Sequence, residues 1–183
     1  MSQSRFQYLG TYNKQMGPQQ ILLNTAWESV GGQSAAIRAI HLHYTIDVKT
    51  SEGGPALQAE DLFSVLRSTN VYDSSGTIWN PTDLSGSDLK HIFRLLYGRD
   101  APQPSGDKDG KIKAGVHQLT ITIPFSCPKL IKPDDTAWSV LELANGYMEM
   151  NWGDLPDSAS YEARCDVQLE LVKRHLIIIA SLI

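Results

Sequence analysis

The sequence predicts a mainly β fold: an antiparallel β-sandwich of about eight strands with two short inserted helices. Three long alternating segments carry that prediction. From Ile37 to Lys49, the residues Ile40, Leu42, Tyr44, Ile46 and Val48 alternate with His41, His43, Thr45, Asp47 and Lys49. Leu119, Ile121, Ile123 and Phe125 alternate with Gln118, Thr120 and Thr122. Cys165, Val167, Leu169 and Leu171 alternate with Arg164, Asp166, Gln168 and Glu170. Successive strand side chains point to opposite faces, so each segment has one apolar and one polar side. Antiparallel sheets with one buried face require that pattern.

Shorter elements follow in order. Gln20 to Asn24 reads as an opening strand. Ala59 to Ser68 carries Leu62, Phe63, Val65 and Leu66 and reads as a first helix. Asn70–Asp73 and Thr77–Asn80 flank Ser74-Ser75-Gly76, a hairpin signal. Ser87 to Tyr97 is a second helix, with Leu89, Ile92, Phe93 and Leu96 on one stripe. Ser85 or Ser87 can cap its start, and Gly98 stands where the helix should stop. Ala101 to Gly110, rich in Pro, Gly and charge, reads as an exposed loop. Ser139–Ala144 and Tyr147–Trp152 flank Asn145-Gly146, whose tolerance of positive φ favours a tight type I′ hairpin. The helices interrupt strands without alternating with them, which argues against a doubly wound parallel sheet.

At 183 residues the chain suits one domain able to bury its own core. We divide it into an N-terminal arm (1–18), a β domain (19–175) and an apolar C-terminal segment (176–183). Sixteen basic residues stand against 20 acidic ones, for a net charge of −4. No basic stripe is visible, so no specific nucleic-acid contact is expected. Cys127 and Cys165 have apolar neighbours and no metal-ligand spacing, and read as buried free thiols. Met1 to Gly10 is polar without an apolar signal-peptide core, which leads us to expect a product left in the cytoplasm of the cell that makes it.

Both ends suggest contacts. Met1 to Gly17 is polar, with Phe6, Tyr8 and Tyr12 interspersed, and carries no strong element; arms of this kind often order only on a neighbour. The ending Leu176-Ile177-Ile178-Ile179-Ala180-Ser181-Leu182-Ile183 needs cover from its own sheet, a partner subunit or lipid. Lys173, Arg174 and His175 stand just before it.

Chemistry has few footholds, and neither a catalytic residue nor a cofactor is expected. His41 and His43, two apart on a strand, share a face with Asp47 and are the candidate metal ligands. A cupin-like site would point them into a barrel. The opposite face, however, holds the aliphatic residues, each worth roughly 1.5–3 kcal/mol when buried, so the histidines are expected outside. The sequence also has Ala35 where a cupin motif places glycine. Asp107-Lys108-Asp109-Gly110 imitates half of an EF-hand loop, but Val116 stands where the closing carboxylate belongs. Asp134 and Asp135 most simply open a turn. No nucleophile elbow or phosphate-cradling glycine pattern is present. Trp27, Trp79, Trp138 and Trp152 suit either a sandwich core or a sugar-binding face.

The stretch Leu84-Ser85-Gly86-Ser87-Asp88-Leu89 to Leu96-Tyr97-Gly98 resembles the helix that small viral jelly rolls carry between sheets. The run Ile121-Thr122-Ile123-Pro124-Phe125, then Asp134-Asp135 and a Trp138 to Trp152 hairpin, is similar in rhythm. Over Gln20 to Val172 the chain thus resembles the small single jelly-roll major capsid proteins of tailless icosahedral viruses, including phages with an internal membrane. The resemblance implies a structural virion protein, not an enzyme, that self-assembles into trimers or pseudo-hexameric capsomers. It also implies terminal segments that tie neighbours together, and often a second capsid protein or a membrane beneath. A carbohydrate- or receptor-binding β-sandwich, such as a spike or lectin-like module, is the alternative; a cupin-like metal-binding protein is the third.

Overall fold

The computed structural model describes residues 4–23, 34–49, 57–73, 75–76, 83–104, 110–127, 129, 136–139, 146–156 and 160–174. Among these, the strands in chain order are β1 (Ser4–Asn13), β2 (Gln19–Leu22), β3 (Ser34–Lys49), β4 (Leu66–Tyr72), β5 (Gly115–Pro124), β6 (Trp138–Ser139), β7 (Tyr147–Trp152) and β8 (Ser160–Arg174). A 3-10 helix (Ala59–Val65) precedes β4, and one α-helix, α1 (Gly86–Tyr97), follows it. The larger sheet runs β1-β8-β3-β5, with β6 also on β3; the smaller runs β2-β7-β4. Every pairing is antiparallel. This is a jelly-roll sandwich.

The three alternating segments form the large sheet, and their apolar faces form the core. Ile40, Leu42, Tyr44, Ile46 and Val48 are buried, with Leu119, Ile121 and Ile123 of β5 and Val167, Leu169 and Leu171 of β8 beside them. Ile21, Val71, Met148 and Met150 belong to the same core from the smaller sheet. The Tyr44 hydroxyl donates to Met150 Sδ at 3.3 Å, and the Tyr44 ring meets Trp152 edge-on, so one side chain stitches both sheets.

α1 forms as expected. Ser85 caps it, accepting from the Asp88 N–H, while the Asp88 carboxylate accepts from the Ser85 N–H. Gly98 closes it in the left-handed conformation at φ 68°. Leu89 and Phe93 are buried, and α1 packs on β5 and the 3-10 helix. A Cβ at Gly86 would lie 2.1 Å from the Phe63 carbonyl oxygen, so only glycine lets α1 start this close.

The structure corrects three expectations. The helix expected over Ala59 to Ser68 is a 3-10 helix that ends at Val65, because Leu66 onward pairs with β7. The N-terminal segment read as lacking a strong element contains β1, a ten-residue strand on β8. A register shift between Tyr8 and Gly10 breaks its alternation, and Phe6 and Tyr8 face solvent, which hides the pattern in sequence. Cys165 is buried and free, but Cys127 is only partly buried. Trp138 and Ser139 pair with β3; residues 140–144 of the strand expected opposite β7 lie outside the described residues.

The Gly76 N–H donates to the Asp73 carbonyl, closing the expected turn, whereas Thr77–Asn80 lies outside the described residues. So do Asp107–Asp109, Asp134, Asp135, Asn145, Trp27, Trp79 and residues 176–183.

Candidate functional site

The candidate metal ligands lie on the outer face of the large sheet. β3 is flanked by β8 and β5, and its even-numbered positions fill the core, so His41 and His43 project outward. The interior placement that a cupin-like site requires is taken by Ile40, Leu42 and Tyr44. His41 pairs in register with Gln168 and Thr122, and His43 with Asp166 and Thr120.

Both rings are held by neighbouring strands. His41 Nε2 is 3.2 Å from Glu170 Oε2, and its Nδ1 is 3.1 Å from Thr122 Oγ1. His43 Nε2 is 3.2 Å from Gln168 Oε1, and its Nδ1 is 3.0 Å from Thr120 Oγ1. Carboxylate and amide oxygens only accept, so each Nε2 donates, and each Nδ1 shares a hydrogen bond with a threonine hydroxyl. The rings stack with centroids 6.0 Å apart, and Phe6 lies 6.0 Å from His41.

A bulge between Ile37 and Ala39 adds Arg38 to this face. The Arg38 guanidinium donates to Glu170 Oε1 at 2.9 Å and to Ser4 Oγ at 3.2 Å, so β1, β8 and β3 are tied across one row. The His41 hydrogen bond first, and Arg38 after it, hold Glu170 below the usual carboxylate range against the opposing effect of burial. Two rows along, Thr11 hydrogen-bonds to Asp166 and to Tyr8.

Asp47 is not brought to the histidines; it pairs with Lys49. Among the described residues no group of three or more His, Cys, Asp or Glu side chains is arranged to hold a metal. The face is instead a polar ladder edged by apolar side chains. Phe6 is 54% exposed and Tyr8 58%. A shallow cleft of about 370 Å³ lies over Phe6, His41, His43, Gln168 and Glu170. Sequence reasoning placed His41, His43, Gln168 and Glu170 on polar faces but did not find Arg38, whose position depends on the bulge.

No family model matches the sequence, and no curated protein matches it. Solved structures do match the fold. The chain is similar to the crystal structure of the STIV major capsid protein, with a TM-score of 0.53 and 14% identity over 92% of this chain and 48% of that one. It is similar to a chain in the atomic structure of Sulfolobus Turreted Icosahedral Virus, with a TM-score of 0.55 and 14% identity over 91% of this chain and 44% of that one. It is also similar to PBCV-1 VP54, as fitted into a reconstruction of the virophage Sputnik, with a TM-score of 0.55 and 7% identity over 95% of this chain and 43% of that one. This chain spans a little under half the length of each. The class these likenesses define is one of fold: the jelly roll found in viral major capsid proteins.

Proposed function

We infer that this chain is a structural virion protein, a shell subunit that self-assembles into the capsomers of an icosahedral particle. The observation that carries the reading is the likeness of more than nine-tenths of the chain to viral major capsid proteins. The mechanism is geometric: lateral contacts between copies repeat around a closed lattice. Exposed apolar side chains support it, since Phe6, Tyr8, Leu22 and Val116 (66% exposed) lie on strands of both sheets and at their margins. Large exposed hydrophobics gathered along sheet edges mark protein contacts more often than solvent faces.

On this reading residues 19–175 act as the jelly roll, and 1–18 add an edge strand and a link to neighbours. Residues 176–183 and the loop around 101–110 make subunit, second-protein or membrane contacts. The protein is made in the host cytoplasm, works in the virion as trimers or pseudo-hexameric capsomers, and catalyses nothing.

Negative-stain microscopy and light scattering of the purified protein test this. Closed particles or discrete capsomers are expected. A monomer at all concentrations and salt conditions, with no assembly in the presence of the virus's other shell proteins, would refute it.

A further inference from the structure

β1 ends the larger sheet: β8 lies on one side of it, and among the described residues no backbone group pairs with it on the other. Which of its groups face that open side follows from the alternation of antiparallel ladders. The Phe125 N–H donates to the Arg38 carbonyl at 2.8 Å, so the even-numbered residues of β3 that follow bond to β5. His41 and His43 then bond to Gln168 and Asp166 of β8, which leaves Leu169 and Leu171 to bond to Gln7 and Arg5. The N–H and C=O groups of Ser4, Phe6 and Tyr8 therefore point out of the sheet edge.

A row of outward amides along a flat edge is a template for another extended strand. Edges that stay free are blunted by proline, by lysine or by a bulge. Ser4 to Tyr8 contains neither residue, and the β1 bulge comes after it, between Tyr8 and Gly10. The regular open stretch is thus five residues long, and the bulge stops a ladder from running further.

A second β1 fits that stretch about a two-fold axis. With Phe6 opposite Phe6, all five positions pair: Ser4 meets Tyr8, and Arg5 meets Gln7. About six hydrogen bonds result, two at the axis and two at each Ser4–Tyr8 pair. Centring on Arg5 or on Gln7 gives about four, and either sets Arg5 against its own copy or carries it into the bulge at Leu9. Arg5 is the one charge in the stretch, so the register at Phe6 brings no like charges face to face. The exposed Phe6 and Tyr8 rings of both copies then gather on the outer face across the join.

We propose that β1 pairs with β1 of a second copy across a two-fold axis at Phe6, joining two larger sheets into one. The pairing names one contact of the assembly inferred above and rests on that reading.

Cross-linking of the assembled full chain tests it. Across a hydrogen-bonded pair the two Cα atoms lie about 5.5 Å apart, within disulfide range. In a Cys127→Ser background, mild oxidation of assembled Phe6→Cys should convert most chains to covalent dimers on a non-reducing gel. Thr11→Cys, whose copies would stand about 30 Å apart, should give almost none. Phe6→Pro removes an N–H that its own sheet does not use, so it should keep the native circular dichroism yet form neither particles nor dimers. Should that variant fail to fold, the cysteine comparison decides alone. Particles in which Phe6→Cys cross-links no better than Thr11→Cys would overturn the pairing and leave the shell reading standing, as would a folded Phe6→Pro that assembles like the native chain. A native chain that forms neither particles nor dimers would sink both.

Discussion

Replacing Glu170 with glutamine isolates the tie that spans three strands of the outer face. Glu170 accepts from Arg38 at 2.9 Å and from His41 at 3.2 Å, and its side chain is only 15% exposed, with that of Arg38 at 23%. A glutamine keeps the shape but offers one oxygen, so an N–H must face one of the two donors. Charge-assisted bonds at partly buried sites contribute about 1.5–3 kcal/mol, so the substitution should cost about 2 kcal/mol. For a chain of this size that lowers the melting temperature by about 2–4 °C per kcal/mol. The pH dependence is the sharper readout. The folded pKa of Glu170 is depressed, so its contribution is complete above the unfolded carboxyl's value of about 4.3 and fades as pH falls through the lower folded value. Urea unfolding should show the full gap between native and Glu170→Gln at about pH 7 and a much smaller one at about pH 3. An equal gap at both, or none at neutral pH, would refute the ion-pair account.

Gly86→Ala should destabilise by about 2 kcal/mol or more, since its Cβ meets the Phe63 carbonyl at 2.1 Å and α1 must back away; thermal unfolding checks this. Leu42→Ala, at the centre of the core, should cost about 2–5 kcal/mol in the same assay. Burial raises the Cys165 thiol far above its ordinary value, so an alkylating reagent at mildly alkaline pH should label Cys127 first and Cys165 only after unfolding, as read by peptide mass spectrometry.

The large sheet was legible because β3, β5 and β8 each bury one face, and a period of two survives any uncertainty in their ends. For the same reason the outward setting of His41 and His43 could be read from Leu42 and Tyr44 alone. Their partners could not. Glu170 is 129 residues from His41, and only the register of β3 against β8 sets them side by side. Arg38 needed the bulge, which no local pattern announces. β1 escaped notice because its aromatic residues face outward and a slip at Leu9 breaks the alternation. The Ala59 to Ser68 segment was ambiguous in kind: four apolar residues in five positions suit a helix or a strand, and pairing of Leu66 with Trp152 decides it.

The place of β8 in the large sheet has a consequence for the order in which the chain folds. It lies between β1 and β3, although it is the last in chain order of the described strands and is made well after both. Until it arrives, those two strands are separated by a slot about 10 Å wide, twice the interstrand spacing. The ladder joining Arg38 and His41 to Glu170 has then lost its middle rung. A chain that lacks β8 thus cannot display the finished outer face.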